Sequence, residues 1–238
     1  TDMIKYRTSD RTIAAGTHGR GVWSATVPSF GCTPPSISSQ PVSSTVCNNA
    51  NASFTVTAAG SAPFTYQWQV STNGGSTWAN VSGATTATYS FTATTAQNSY
   101  QYRCIVGNCD PSTVTSNAAT LTVNALPAVT AQPANSTICA GSNTSFTITA
   151  TGTGITYQWQ VSTNGGSSFS NLANGAPYSG VTTNTLVITA ATAGLNTYQY
   201  RCVVTGTCTP PATSNAGVLT VNAAPAVTGQ PVNASICA

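Results

Sequence analysis

Apolar and polar residues alternate in short runs along most of this chain. Phe54, Val56 and Ala58 alternate with Thr55 and Thr57, as in a strand with one buried face. Tyr66-Gln67-Trp68-Gln69-Val70 alternates the same way. Asn73-Gly74-Gly75 follows it and supplies the positive-φ residues of a hairpin turn. Tyr89 and Phe91 mark another strand, Tyr100, Tyr102 and Cys104 the next, and Leu121 and Val123 the last. The set then returns as Phe146, Ile148, Trp159, Leu186, Ile188, Tyr200, Cys202, Leu219 and Val221. Short strands separated by turn residues predict an all-β chain.

The alternation belongs to a repeat. Gln-Pro pairs start at 40, 132 and 230, which gives periods of 92 and 98 residues. TYQWQVSTNGG begins at Thr65 and Thr156, YQYRC at Tyr100 and Tyr198, and TSNA at Thr115 and Thr213, each time followed by LTVNA. The extra length of the second copy falls mainly in LANGAPYSG, which reads as a longer surface loop. A unit of about 100 residues built from short strands is the size of an immunoglobulin-type sandwich. Trp68 and Trp159 take the place of the core Trp of such a sandwich. Tyr102 and Tyr200 stand two residues before a Cys, the tyrosine-corner spacing. The expected fold is therefore tandem immunoglobulin-like β-sandwiches with an N-terminal strand segment. The expected divisions are 1–31 for those strands, 32–124 and 125–222 for two complete repeats, and 223–238 for a linker and the first strand of a third.

The pattern YQWQVSTNGG…YQYRC…SNA…LTV, met twice across residues 33–238, resembles the Ig-like repeats of secreted, cell-surface proteins of Bacteroidetes-type bacteria. The resemblance implies spacers, stalks or adhesive units on exported proteins. Residues 1–30 lie outside the repeat. Met3–Tyr6, Thr12–Ala15 and Gly21–Ala25 read as strands, the first two joined by the turn Ser9-Asp10-Arg11. The run Ala15 to Trp23 resembles the closing blade of secreted β-propellers of the sialidase, xyloglucanase and sortilin kind. That implies a propeller before the repeats. It carries over no catalysis, because a propeller active site draws on many blades.

Composition narrows the chemistry. Charged residues make up 4% of the chain and Glu is absent. After residue 31 the only carboxylate side chain is Asp110, and there is no His or Lys. A glycosidase needs two carboxylic acids about the scissile bond, and calcium needs clustered oxygen ligands. The repeats supply neither, and His18 stands alone as a turn residue between glycines. No enzyme site, metal or cofactor is expected. Four of the six basic residues fall within the first 20 positions, so no nucleic-acid surface is expected either. No apolar run reaches the roughly 20 residues of a membrane span. The opening TDMIKYRTSD has no signal-peptide core, whereas eight Cys suit an oxidising compartment. Together these lead us to expect an internal piece of a longer exported bacterial protein, extracellular or at the cell surface.

Each copy carries three Cys: Cys47, Cys104 and Cys109 in the first, Cys139, Cys202 and Cys208 in the second. Cys32 precedes them and Cys237 opens the third. Val56 and Ile148 occupy the place of the usual partner of Cys104 and Cys202. The leading pairing is Cys47–Cys104 and Cys139–Cys202. A local bridge, Cys104–Cys109 and Cys202–Cys208, competes with it. Cys32–Cys109 is a third option, since the entry of a sandwich and its last hairpin lie at the same end. An odd count per copy leaves one thiol free or linked to a neighbouring module or chain.

Surface chemistry is sparse. Trp78 and Phe169 follow the hairpin turn and read as edge aromatics before sugar platforms. Arg103 and Arg201 point outward beside the core Cys, to pair with a partner's acid or to solubilise a sheet face. The expected role is an extracellular structural or adhesive protein, with the repeats forming a stalk, sheath or filament. Expected partners are copies of itself or other surface proteins, and glycan is unsupported. Unpaired end strands would allow assembly by strand addition. The alternative is a non-catalytic C-terminal appendage of a secreted propeller glycosidase.

Overall fold

The computed structural model describes the backbone of 3–7, 12–16 and 22–26, and residues 31–109, 111–223 and 225–229 in full. The turn at Ser9–Arg11, His18, Asp110 and Cys237 lie outside the described residues, as does most of the segment read as a third repeat.

Three strands come first. β1 (Met3–Arg7), β2 (Thr12–Gly16) and β3 (Val22–Thr26) form an antiparallel sheet in that order. The first repeat follows with β4 (Ser36–Ser39), β5 (Ser44–Cys47), β6 (Asn51–Thr55), β7 (Thr57–Ala59), β8 (Thr65–Ser71), β9 (Ala79–Asn80), β10 (Thr88–Thr92), β11 (Gln101–Gly107), β12 (Thr113–Thr115) and β13 (Ala119–Asn124). The second has β14 (Ala128–Ala131), β15 (Ser136–Cys139), β16 (Thr144–Thr147), β17 (Thr149–Thr151), β18 (Thr156–Ser162), β19 (Ser170–Asn171), β20 (Tyr178–Ser179), β21 (Thr185–Ile188), β22 (Gln199–Thr205), β23 (Ala212–Thr213) and β24 (Gly217–Asn222). Contacts divide the chain into two units, Thr1–Val123 and Asn124–Ala238.

Each repeat is a sandwich with the same plan. One sheet runs β5-β13-β11-β8-β9, with β12 continuing on β11. Facing it are the pairs β10-β6 and β4-β7. In the second unit the large sheet runs β15-β24-β22-β18-β19, opposite β16-β21-β20 and β14-β17. The centre of each large sheet is a seven-residue antiparallel ladder that sets Trp68 against Cys104 and Trp159 against Cys202. All four side chains are fully buried. The indole N–H of Trp68 donates to the Thr86 carbonyl at 2.9 Å, and that of Trp159 to Thr183 at 2.9 Å. A buried indole thus keeps its polar atom satisfied, as burial requires.

The recurring motifs have structural tasks. The first strand must leave one sheet and join the other, because β4 pairs β7 whereas β5 lies in the large sheet. Proline suits that crossing because it has no N–H to donate to a ladder. Pro41 and Pro133 are buried there. The preceding Gln reaches across to the SNA motif. Asn117 N–H donates to Gln40 Oε1 at 2.8 Å, and Asn215 N–H to Gln132 Oε1 at 2.7 Å. Within SNA, buried Ser116 Oγ accepts from the Cys104 N–H at 2.9 Å and donates its O–H to the Asn117 carbonyl at 2.8 Å. Ser214 does the same for Cys202 and Asn215. The NGG turn is pinned likewise. The Gly75 N–H donates to buried Ser71 Oγ, and Asn73 Oδ1 accepts from Ser71 Oγ and the Thr77 N–H, each at 2.9 Å. Gly75 has φ +89°, a backbone conformation that side-chain-bearing residues rarely adopt, so the turn needs glycine there.

The two cores differ in one respect. In the first, Phe54 stacks on Tyr102 at 4.8 Å and Tyr89 on Phe91 at 4.8 Å. In the second, Leu186 and Ile188 replace that last pair. The insertion expected to be a surface loop is mostly exposed, but it also carries a short strand whose Tyr178 packs against the core. Tyr178 adds β20 to the smaller sheet, and its hydroxyl meets that of Tyr200 at 3.1 Å. Val181, four residues after Pro177, is also buried. Swapping aromatics for smaller aliphatics leaves volume beside Tyr200, and Tyr178 fills it.

Phe54→Ala should cost about 3–5 kcal/mol in denaturant unfolding of the first module. Tyr178→Phe removes the partner of a buried hydroxyl and should cost about 1–3 kcal/mol, confined to the second module.

Candidate functional site

The outer face of each large sheet carries the same arrangement. Alternation along β11 buries Tyr102 and Cys104 and turns Arg103 outward. Register places Arg103 opposite Gln69 on β8, and the Arg103 Nε–H donates to Gln69 Oε1 at 2.8 Å. Its guanidinium carbon sits 4.2 Å from the centre of the Trp78 ring. The Trp78 indole N–H donates to the Gly75 carbonyl at 3.1 Å, which fixes the ring over the turn. The second copy repeats the stack. Arg201 donates to Gln160 Oε1 at 2.8 Å and lies 3.9 Å from the centre of the Phe169 ring. Sequence reading singled out all four side chains separately; the structure pairs them. A stack of this kind contributes about 0.5–1 kcal/mol at an exposed site. It also covers one ring face with a cation, so that face is not a free platform for a sugar.

The cysteines depart from the leading expectation. Cys104 and Cys202 are free thiols, buried in the cores, so Cys47–Cys104 and Cys139–Cys202 do not exist in this structure. Neither do the local bridges Cys104–Cys109 and Cys202–Cys208. The reason is register. Each thiol sits in the centre of its sheet against Trp, whereas Cys47 and Cys139 sit at the last residues of β5 and β15. The structure instead closes Cys32–Cys109, with Cα atoms 6.1 Å apart and a sequence separation of 77. A loop of that length contributes about 4–5 kcal/mol in the chain-entropy account. Cys47 and Cys208 are also disulfide-bonded, and Cys139 is an exposed free thiol.

At the entry end of the first sandwich, Asn108 Nδ2 donates to the carbonyls of Thr33 at 2.8 Å and Ser61 at 2.9 Å, beside the Cys32–Cys109 bond. In the second, Cys208 Sγ lies 3.7 Å from the Asn124 carbonyl. Among the described residues no group of three or more His, Cys, Asp or Glu is placed to hold a metal ion. No buried side-chain nitrogen or oxygen among them lacks a hydrogen-bond partner. No helix among them is long and apolar enough to cross a membrane.

Burial pushes both core thiols up from the ordinary 9.0 to about 11, because the thiolate would lose its hydration. The unfolded chain then ionises first. Stability contributed by the neutral thiols is complete below pH 9 and falls as pH rises to about 11. Buried Tyr102 and Tyr200, also raised by burial, add to the decline at higher pH. Urea midpoints measured from pH 8 to pH 11 should fall less steeply in a Cys104→Ala, Cys202→Ala double variant than in the parent chain.

Solved structures with this architecture are tandem immunoglobulin domains. The I67–I69 fragment of titin aligns with TM-score 0.60 and 15% identity, covering 81% of this chain and 67% of that one. Immunoglobulin domains 1–4 of Sidekick-1 give 0.57 and 14%, covering 89% and 57%. At such identity the likeness speaks for the fold alone. A curated relative, Endoglucanase C of Cellulomonas fimi, is 35% identical over 175 residues, which is 73% of this chain but 15% of the enzyme's length. The chain therefore spans a small part of that relative. The pattern of one family, described as a domain of unknown function, matches at residues 36–125 and again at 128–223. Two tandem immunoglobulin-like sandwiches, each matched along nearly its whole length, make this chain a member of the family DUF8696.

Proposed function

We propose that these sandwiches are non-catalytic spacer modules of a longer exported bacterial protein, holding its working parts away from a surface. The observation that carries this reading is what the duplication preserves. Gln-Pro, YQWQV, STNGG, YQYRC and SNA recur in both copies, and the side chains described in them are spent on tying strands, turns and sheets of their own module. Even the outward Arg and aromatic of each copy are spent on each other. A duplicated binding module would be expected to keep open polar or aromatic groups facing solvent.

The similarity to part of Endoglucanase C supports the appendage reading in particular. Immunoglobulin-like modules that form a small part of a relative named for an enzyme fit a tether beside a catalytic domain. On this reading residues 32–124 and 125–222 are the two modules. Residues 1–31 are the end of a propeller, and 223–238 begin a third module. A Bacteroidetes-type source and assembly by strand addition belong to the same proposal in its stalk or filament form.

Retention on insoluble cellulose separates a spacer from a glycan-binding module. The purified chain should elute with a non-binding control, and Trp78→Ala or Phe169→Ala should change nothing. Retention that either substitution abolishes would overturn the spacer reading. Reducing Cys32–Cys109 should lower the denaturant midpoint of the first module by the equivalent of about 2–5 kcal/mol.

A further inference from the structure

We propose that Cys139 is a covalent docking point for the module that follows it. Its partner would be the cysteine in the hairpin after that module's YQYRC strand, the counterpart of Cys109 and Cys208. This deepens the modular reading above, but its test reads a bond and not a mechanical role.

Two positions within the second unit carry the inference. At the exit end, β15 runs parallel to β24, and the ladder pairs Cys139 with Asn222, the last residue of β24. The Ala140 N–H donates to the Asn222 carbonyl at 2.9 Å, which holds the end of β15 against the outgoing chain. At the entry end, Cys208 Sγ lies 3.7 Å from the carbonyl of Asn124, the residue on which the chain enters this unit. Asn124 and Asn222 are the same residue of the repeat, each closing LTVN before Ala and an entering segment, LPAV or APAV. Asn222 is therefore both the exit residue of one module and the entry residue of the next. Cys139 flanks it from one side. The hairpin cysteine of a following module would flank it from the other, as Cys208 flanks Asn124. Both cysteines would thus meet at one residue of the chain, and the bond forms where they approach to the Cα separation of about 4.4–6.8 Å that a disulfide spans.

The state of the cysteines agrees. Cys47, the counterpart of Cys139 by the 92-residue offset between Gln40 and Gln132, is disulfide-bonded. Both hairpin cysteines, Cys109 and Cys208, are disulfide-bonded as well. Cys139 is exposed and free, whereas the other free thiols among the described residues, Cys104 and Cys202, are sealed in the cores. An exposed thiol in an oxidising compartment reacts readily. Closing the bond removes two protons and two electrons from the two thiols. A disulfide oxidant, such as oxidised glutathione or an exported oxidoreductase, accepts them and leaves as two thiols.

The test extends the full chain past Ala238 with residues 141–222 of the second copy, which completes a third module in register. In the parent chain a maleimide should label Cys139 under native conditions and spare Cys104 and Cys202. In the extended chain, oxidised with glutathione, Cys139 should become unreactive. Peptide mapping without reduction should recover it joined to the added counterpart of Cys208. Placing Cys208→Ser in the added copy alone should restore labelling of Cys139. The added counterpart of Cys202 reports folding: if it stays unlabelled, the new module has formed its core. With that core formed, continued labelling of Cys139, or its recovery joined to Cys237, would overturn the proposal.

Discussion

The antiparallel ladder of β8 with β11, and of β18 with β22, is the element on which each module depends. Seven residues pair on each strand, and alternation sends their side chains to two different tasks. The inward set, Trp68 with Tyr102 and Cys104, forms the centre of the core. The outward set, Gln69 and Arg103, fixes the turn aromatic. Shifting one strand by a residue would exchange the two sets, burying a guanidinium and exposing an indole. Register is therefore specified by a large burial difference on both faces at once.

The core of each module holds without an inter-sheet disulfide. Val56 and Ile148 are buried in the same core clusters as the thiols. A thiol packs as a small apolar group, so the centre remains close-packed without a covalent link. Polar side chains supply part of the fixation instead. Ser116 and Ser214 bridge from the segments before the last strands to the thiol residues, and Gln40 and Gln132 tie the strand that changes sheets. Covalent bonding has moved from the core to the rim, where Cys32–Cys109 clasps the entering chain to the last hairpin. Disulfides at a rim hold the ends of a module, which suits a protein built from modules in series.

The low charge of the chain follows from the same economy. With few charged side chains, Thr, Ser, Asn and Gln provide both solvation and internal ties. Cross-strand hydroxyl pairs such as Thr55 with Thr88 and Thr147 with Thr185 replace the ion pairs that a more charged sandwich would place on its surface. Neutral pairs of this kind are insensitive to salt, in contrast to exposed ion pairs.

Periodicity in the sequence determines much of this protein. The alternation of Phe54 and Val56, the recurrence of YQWQV and YQYRC, and the glycines of NGG dictate strands, turns and two copies of a sandwich. These are local properties, decided by backbone geometry and by which face of a strand is apolar. Cysteine pairing was not legible, because three Cys in each copy, with Cys32 ahead of the first, admit several bridges. Only the placement of strand ends puts Cys32 beside Cys109 and leaves Cys104 against Trp68. The pairing of Arg103 with Trp78 also had to wait, since residues 25 apart in sequence meet only through the register of β8, β9 and β11. LANGAPYSG read as a loop because its composition is that of a loop. The space left by Leu186 and Ile188 is a property of the assembled core, and it alone decided that Tyr178 turns inward.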